Sequence, residues 1–134
     1  MLNNNEKPAP SPWLAIFSLT VACFVMVTTE FLPIGLLTNI APSLDVSTGK
    51  AGLMVTVPGI VAAIAAPALS LAAGRLDRRL LMLALSVLLT VSNLVSALAV
   101  NFPMMLLGRV LLGICVGGFW AFAANYGRHL VPEA

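Results

Sequence analysis

Four apolar runs, at about 13–37, 51–73, 80–100 and 103–127, divide the chain. Each is long enough to cross the roughly 30 Å hydrocarbon core of a bilayer as a helix. Composition points the same way: 60% of the residues are hydrophobic and 9% charged, against about 25% charged in a soluble domain. Mean hydropathy is +1.02. The chain therefore reads as an all-α integral membrane protein with four transmembrane helices. A net charge of +2 carries no message about nucleic acid, because the few basic residues lie in loops and form no stripe.

Taken in order, residues 1–12 are polar and hold Pro8 and Pro10, so a disordered lead is expected. Trp13 suits an interfacial anchor at the start of the first span. That span is longer than the apolar core of a signal peptide and lacks an A-x-A-like exit, so it is expected to stay in the membrane. Within it, Thr28, Thr29 and Glu30 form a polar cluster. Pro33 removes a backbone donor just beyond, which predicts a bend and a cavity there. Residues 38–50 read as a loop in which Ser47 or Thr48 can cap the next helix. The second span is rich in alanine and carries Pro58 and Pro67, and its small residues permit close helix approach. The link Gly74–Arg79 is short and charged, which predicts that spans two and three are antiparallel neighbours. Span three has polar spots at Ser92, Asn93 and Ser96. A turn at Asn101-Phe102-Pro103 leads into span four. Lys7, Arg75, Arg78, Arg79 and Arg128 flank one side of the membrane and Lys50 the other. The excess of basic residues places both ends of the chain and the Gly74–Arg79 link in the cytoplasm.

Arg109 stands inside the fourth run. A charge at the middle of a membrane helix costs about 2.5–3.5 kcal/mol on insertion scales. It needs a partner or a wet cavity, and Glu30 is the one acidic candidate at membrane depth. Counted from the outer helix ends at about 1.5 Å per residue, both residues lie some 9–10 Å deep. Burial disfavours the charged form of a carboxyl group, whereas a nearby guanidinium favours it. A site where hydration and pairing both change can thus load and release a proton. The rival reading is a static Glu30–Arg109 pair that fixes helix register.

Gly113 and Gly117 follow Arg109 at intervals of one turn, with Gly118 beside them. They form a seam for helix packing or for a cavity wall. Thr29, Phe119 and Trp120 are candidates for lining a substrate cavity, although the aromatic residues can equally serve packing. Cys23 and Cys115 fall inside spans and read as apolar packing groups. His129 lies beyond the last span. No nucleotide-binding glycine loop, metal-ligand cluster or nucleophile–base arrangement is found, so neither an enzyme nor a metal or organic cofactor is implied.

Three stretches carry a family resemblance: Thr29-Glu30-Phe31-Leu32-Pro33, the Gly74–Arg79 link, and Leu107-Gly108-Arg109-Val110-Leu111-Leu112-Gly113. Together the chain from about Trp13 to Ala134 resembles the N-terminal portion of a major facilitator superfamily transporter of the proton-driven drug-antiporter branch. It is most similar to bacterial exporters of sugars and purine ribonucleosides. The resemblance implies efflux of a small organic solute, driven by the proton gradient across a bacterial cytoplasmic membrane. Glu30 matches the family's acidic residue in span one, and Arg109 the span-four arginine associated with proton coupling. Asp77 and Arg78 match the Asp-Arg of the cytoplasmic gating loop, with Gly74 and Arg79 beside them. Here the loop is compact: Gly74 stands three rather than four places before Asp77, and the second glycine and basic pair are missing. The family has twelve spans, so the resemblance implies that further helices complete the transporter and that this chain is a fragment. Two other readings remain open at this stage. One is a complete four-span small multidrug exporter working as a dimer. The other is a non-transporting membrane protein that binds a partner through its glycine seam.

Overall fold

The computed structural model of the chain describes residues 12–74 and 77–130. The expected disordered lead up to Ser11, and Arg75 in the link, lie outside the described residues. Pro12, counted with the lead, instead opens the first helix. Among the described residues every regular element is an α-helix: α1 (Pro12–Ser43), α2 (Thr48–Ala51), α3 (Leu53–Ala73), α4 (Arg78–Ala97) and α5 (Phe102–Leu130). Four stretches, with α2 and α3 counted as one, are long and apolar enough to cross a membrane.

Helix α1 runs past the expected end at Leu37, through Pro33 and Pro42, to Ser43. What stops it is a left-handed residue, Asp45, with φ 53°. Around it the Val46 N–H donates to the Ala41 carbonyl at 3.0 Å and the Asp45 N–H to the Pro42 carbonyl at 3.2 Å. These are the two bonds of a Schellman ending, and Val46 packs against the cluster of Ala41, Ala51 and Met54. Glycine is the usual residue there, and aspartate is one of the few others that tolerate the conformation. Ser47 then caps α2, its hydroxyl accepting from the Lys50 N–H at 3.2 Å. Asp77 caps α4, and the Asn101 side chain accepts from the Met104 N–H at the start of α5.

The helices assemble around α5. Both α3 and α4 pack along it and make little contact with each other, so the short link does not make spans two and three packing neighbours as expected. The reason lies in the small residues of α5. A Cβ added at Gly113 would stand 2.7 Å from the Pro58 carbonyl oxygen, and one at Gly117 would stand 2.8 Å from that of Ala62. Such backbone approach multiplies dispersion contacts, the main attraction left between helices once water is gone. An alanine- and leucine-lined α3–α4 contact would gain little over lipid. The pairing of Gly113 with Pro58 and Gly117 with Ala62 makes α3 and α5 parallel. Ser92 opposite Gly108, and Leu85 opposite Cys115, make α4 antiparallel to α5.

Helix α1 lies across this unit with fewer contacts. Met26 joins Leu112 and Val116 in one buried cluster. Nearer its end, Ala41 packs with Ala51 and Met54 beneath Phe102 and Met105. Large apolar side chains such as Trp13, Phe17, Phe24 and Leu71 point outward, which costs nothing against lipid tails.

Gly113→Ala and Gly117→Ala are each expected to lower stability by about 1–3 kcal/mol, since they overpack against backbone. Gly118→Ala meets only the ends of the Leu85 and Leu69 side chains and should cost less. Gly35 has open space around it, so its alanine variant should be neutral or more stable by up to about 1 kcal/mol. Thermal unfolding of the chain in detergent gives the ranking, and a Gly35 variant less stable than the Gly113 variant would contradict this packing.

Candidate functional site

Arg109 lies where α5 faces α1 and is only 6% exposed. Its Nη1 donates to the backbone carbonyl of Thr29 at 2.9 Å. Its Nε is buried and has no hydrogen-bond partner. The guanidinium thus reaches the first span at the level of the Thr29–Glu30 peptide, as equal depth requires. Its bond goes to the carbonyl of the residue before Glu30 rather than to the carboxylate. Among the described residues Arg109 forms no ion pair, and Glu30 is half-buried. Helix α1 continues through this region, with Pro33 inside it. The Thr29 hydroxyl is turned to its own helix, donating to the Val25 carbonyl at 2.8 Å.

On the far side of Arg109, α4 grips α5 through the polar spots of the third span, at a contact that hydropathy alone does not place. Ser92 is 1% exposed, and its Oγ donates to the Gly108 carbonyl at 2.7 Å. Gly108 is the residue before Arg109, and a Cβ there would collide with the Ser96 hydroxyl. About two turns along, the Cys115 thiol donates to the Leu85 carbonyl at 3.4 Å. The signal in the sequence is a pair of serines one turn apart on a leucine-rich helix, placed by the hairpin register against glycine. Cys23 and Cys115 are free thiols.

Of the candidate cavity residues, Phe119 packs beside Met26, Leu112 and Val116. It meets Trp120 edge-on, with ring centroids 6.2 Å apart. Phe119 also lines an open groove of about 530 Å³ with Leu19, Thr20, Cys23, Phe24 and Val27 of α1. Trp120 is exposed, and neither it nor Thr29 borders that groove. In the link, the Asp77 carboxylate accepts from the Arg79 N–H at 3.0 Å, Gly74 ends α3, and the side chain of Arg78 lies outside the described residues, as does that of His129. The gating candidates thus include a helix cap, and Gly113, Gly117 and Gly118 lie at helix contacts.

Comparison with known proteins adds to this geometry. The family model described as Major Facilitator Superfamily matches residues 19–134. The chain is 39% identical over 129 residues to "Transcription regulatory protein OpdE" of Pseudomonas aeruginosa, covering 96% of this chain and 32% of the relative. It is 43% identical over 122 residues to "Purine ribonucleoside efflux pump NepI" of Shigella dysenteriae serotype 1, covering 90% of this chain and 30% of the relative. The protein of the same name from Escherichia coli is equally similar. The chain spans about a third of the length of these relatives. No solved structure matches it. Between the two transport readings, the family match favours the facilitator and not the small multidrug exporter.

Two opposing terms set the outcome of Arg109→Met. The variant relieves a membrane charge worth about 2.5–3.5 kcal/mol and leaves the Thr29 carbonyl without its side-chain donor, at about 1–3 kcal/mol. Its unfolding midpoint in detergent is expected at or slightly above that of the original chain. A large drop would show that the arginine holds the fold together. Ser92→Ala should lose about 0.6 kcal/mol, the average for a membrane side-chain hydrogen bond.

Proposed function

The chain belongs to the major facilitator superfamily, and on that premise we propose that it supplies the proton-coupling half-site of an efflux transporter. The transporter exchanges protons for a small organic solute. The observation that carries this reading is the Arg109 guanidinium, buried at membrane depth and bonded to the carbonyl next to Glu30 with its Nε left over. A static register pin needs no spare donor and no adjacent carboxyl group. A coupling site uses both: Glu30 takes up or releases the proton, and the arginine changes how favourable the carboxylate is. An intramembrane charge with an identifiable acidic neighbour is the arrangement such relays use.

In this reading the energy source is the proton gradient, and no organic cofactor or metal is required. The names of the pump relatives favour a purine ribonucleoside or a similar polar heterocycle as the solute. Phe119, Trp120 and Thr29 contribute to its cavity, and the remaining wall comes from helices beyond this segment, as the threefold greater length of the relatives implies. Asp77, Arg78, Arg79 and Gly74 act at the cytoplasmic face, where the capped start of α4 follows the compact link. The location is the bacterial cytoplasmic membrane, with both ends of the chain inside.

The test is a chimera in which this chain replaces the matching portion of the purine ribonucleoside pump. Glu30→Gln should abolish pH-driven efflux from cells while leaving insertion and abundance unchanged. Wild-type coupling in that variant would sink the proton-carrier role. A chimera that inserts and moves no solute under any gradient would instead favour the partner-binding reading. Orientation is checked separately: a cysteine at Lys50 should react with an impermeant maleimide from outside, and one at Arg79 only from inside.

A further inference from the structure

A proline inside a helix leaves one carbonyl of the i→i−4 ladder without its N–H donor. Pro33 and Pro42 do this to Thr29 and Thr38 in α1, and Pro58 and Pro67 to Met54 and Ala63 in α3. In lipid such a carbonyl has to be satisfied from elsewhere. Among the described residues only one of these four carbonyls receives a side-chain hydrogen bond. It is that of Thr29, and the donor is Arg109 at 2.9 Å. Pro33 itself is fully buried, so its ring is held in place by packing.

We propose that Pro33 is a positioning residue: by lacking an N–H it vacates the Thr29 carbonyl as the acceptor that holds the Arg109 guanidinium one residue from Glu30. The proposal rests on the coupling reading of Glu30 and Arg109. Anchored on a backbone carbonyl, the arginine keeps its place whether or not the carboxyl group carries a proton. Its position therefore does not have to be rebuilt in each cycle. With an N–H at position 33, the ladder bond would compete for the same oxygen, and the arginine would lose its fixed seat. Ser92 supports the arrangement from the other side, holding the peptide before Arg109 against α4.

The test uses Pro33→Ala and Pro33→Val, which both restore the N–H, the second with nearly unchanged side-chain volume. In the 134-residue chain labelled with ¹⁵N-arginine in detergent, the Arg109 guanidinium signals are assigned by their loss in Arg109→Lys. Both Pro33 variants should shift those signals while helix content stays constant. In the chimera they should reduce proton-driven efflux, by up to about a hundredfold for a misplaced group. In an Arg109→Met background they should cause no additional loss. Unmoved guanidinium signals in a folded variant would overturn the proposal, as would shifted signals with wild-type efflux. If Arg109→Met alone transports normally, the coupling reading fails, and the guanidinium signals alone then decide whether Pro33 sets the arginine's partner.

Discussion

The hydrogen bond from Arg109 to the Thr29 carbonyl is what lets a permanent charge sit inside an apolar helix bundle. Two costs in lipid, a buried guanidinium and a carbonyl left without its ladder partner by Pro33, partly offset one another. The rest of the described structure can be ordered around that contact. Ser92 and Gly108 fix α5 lengthwise against α4, and Gly113 and Gly117 set how near it comes to α3. Met26, Leu112 and Val116 then close the apolar space between α1 and α5.

Attachment is uneven. Helices α3, α4 and α5 form a closely interlocked unit in which backbone meets backbone through glycine, whereas α1 touches that unit along a lighter seam. The arginine contact crosses the lighter seam. A change in what the arginine binds thus bears on the position of one helix more than on the bundle as a whole. The carboxyl group of Glu30 stands on that more lightly held helix, one residue from the contact.

Much of this was legible from residue order. The four spans follow from hydropathy, the Ser47 cap from turn chemistry, and the isolation of Arg109 from the cost of charge in lipid. Depth counting brought Arg109 to the level of Glu30. Three features were not legible, each for a physical reason. The end of α1 depends on an aspartate taking a left-handed conformation that glycine usually supplies. The separation of α3 from α4 depends on which helix offers the smaller surface, which chain proximity does not reveal. The partner of Arg109 is a main-chain oxygen, and an inventory of side chains passes over it. The carbonyls that prolines leave vacant, taken together with the depth of Arg109, point to it.

The contact also has a place in time. Its two ends lie 80 residues apart in the chain, and α1 is made first. At about 5–20 residues per second of synthesis, the first helix waits roughly 4–16 seconds in the membrane or the insertion machinery before Arg109 exists. During that interval its vacant carbonyl must be served by water, by lipid headgroups or by the translocation channel. The arrival of α5 is the event that gives that carbonyl its side-chain donor.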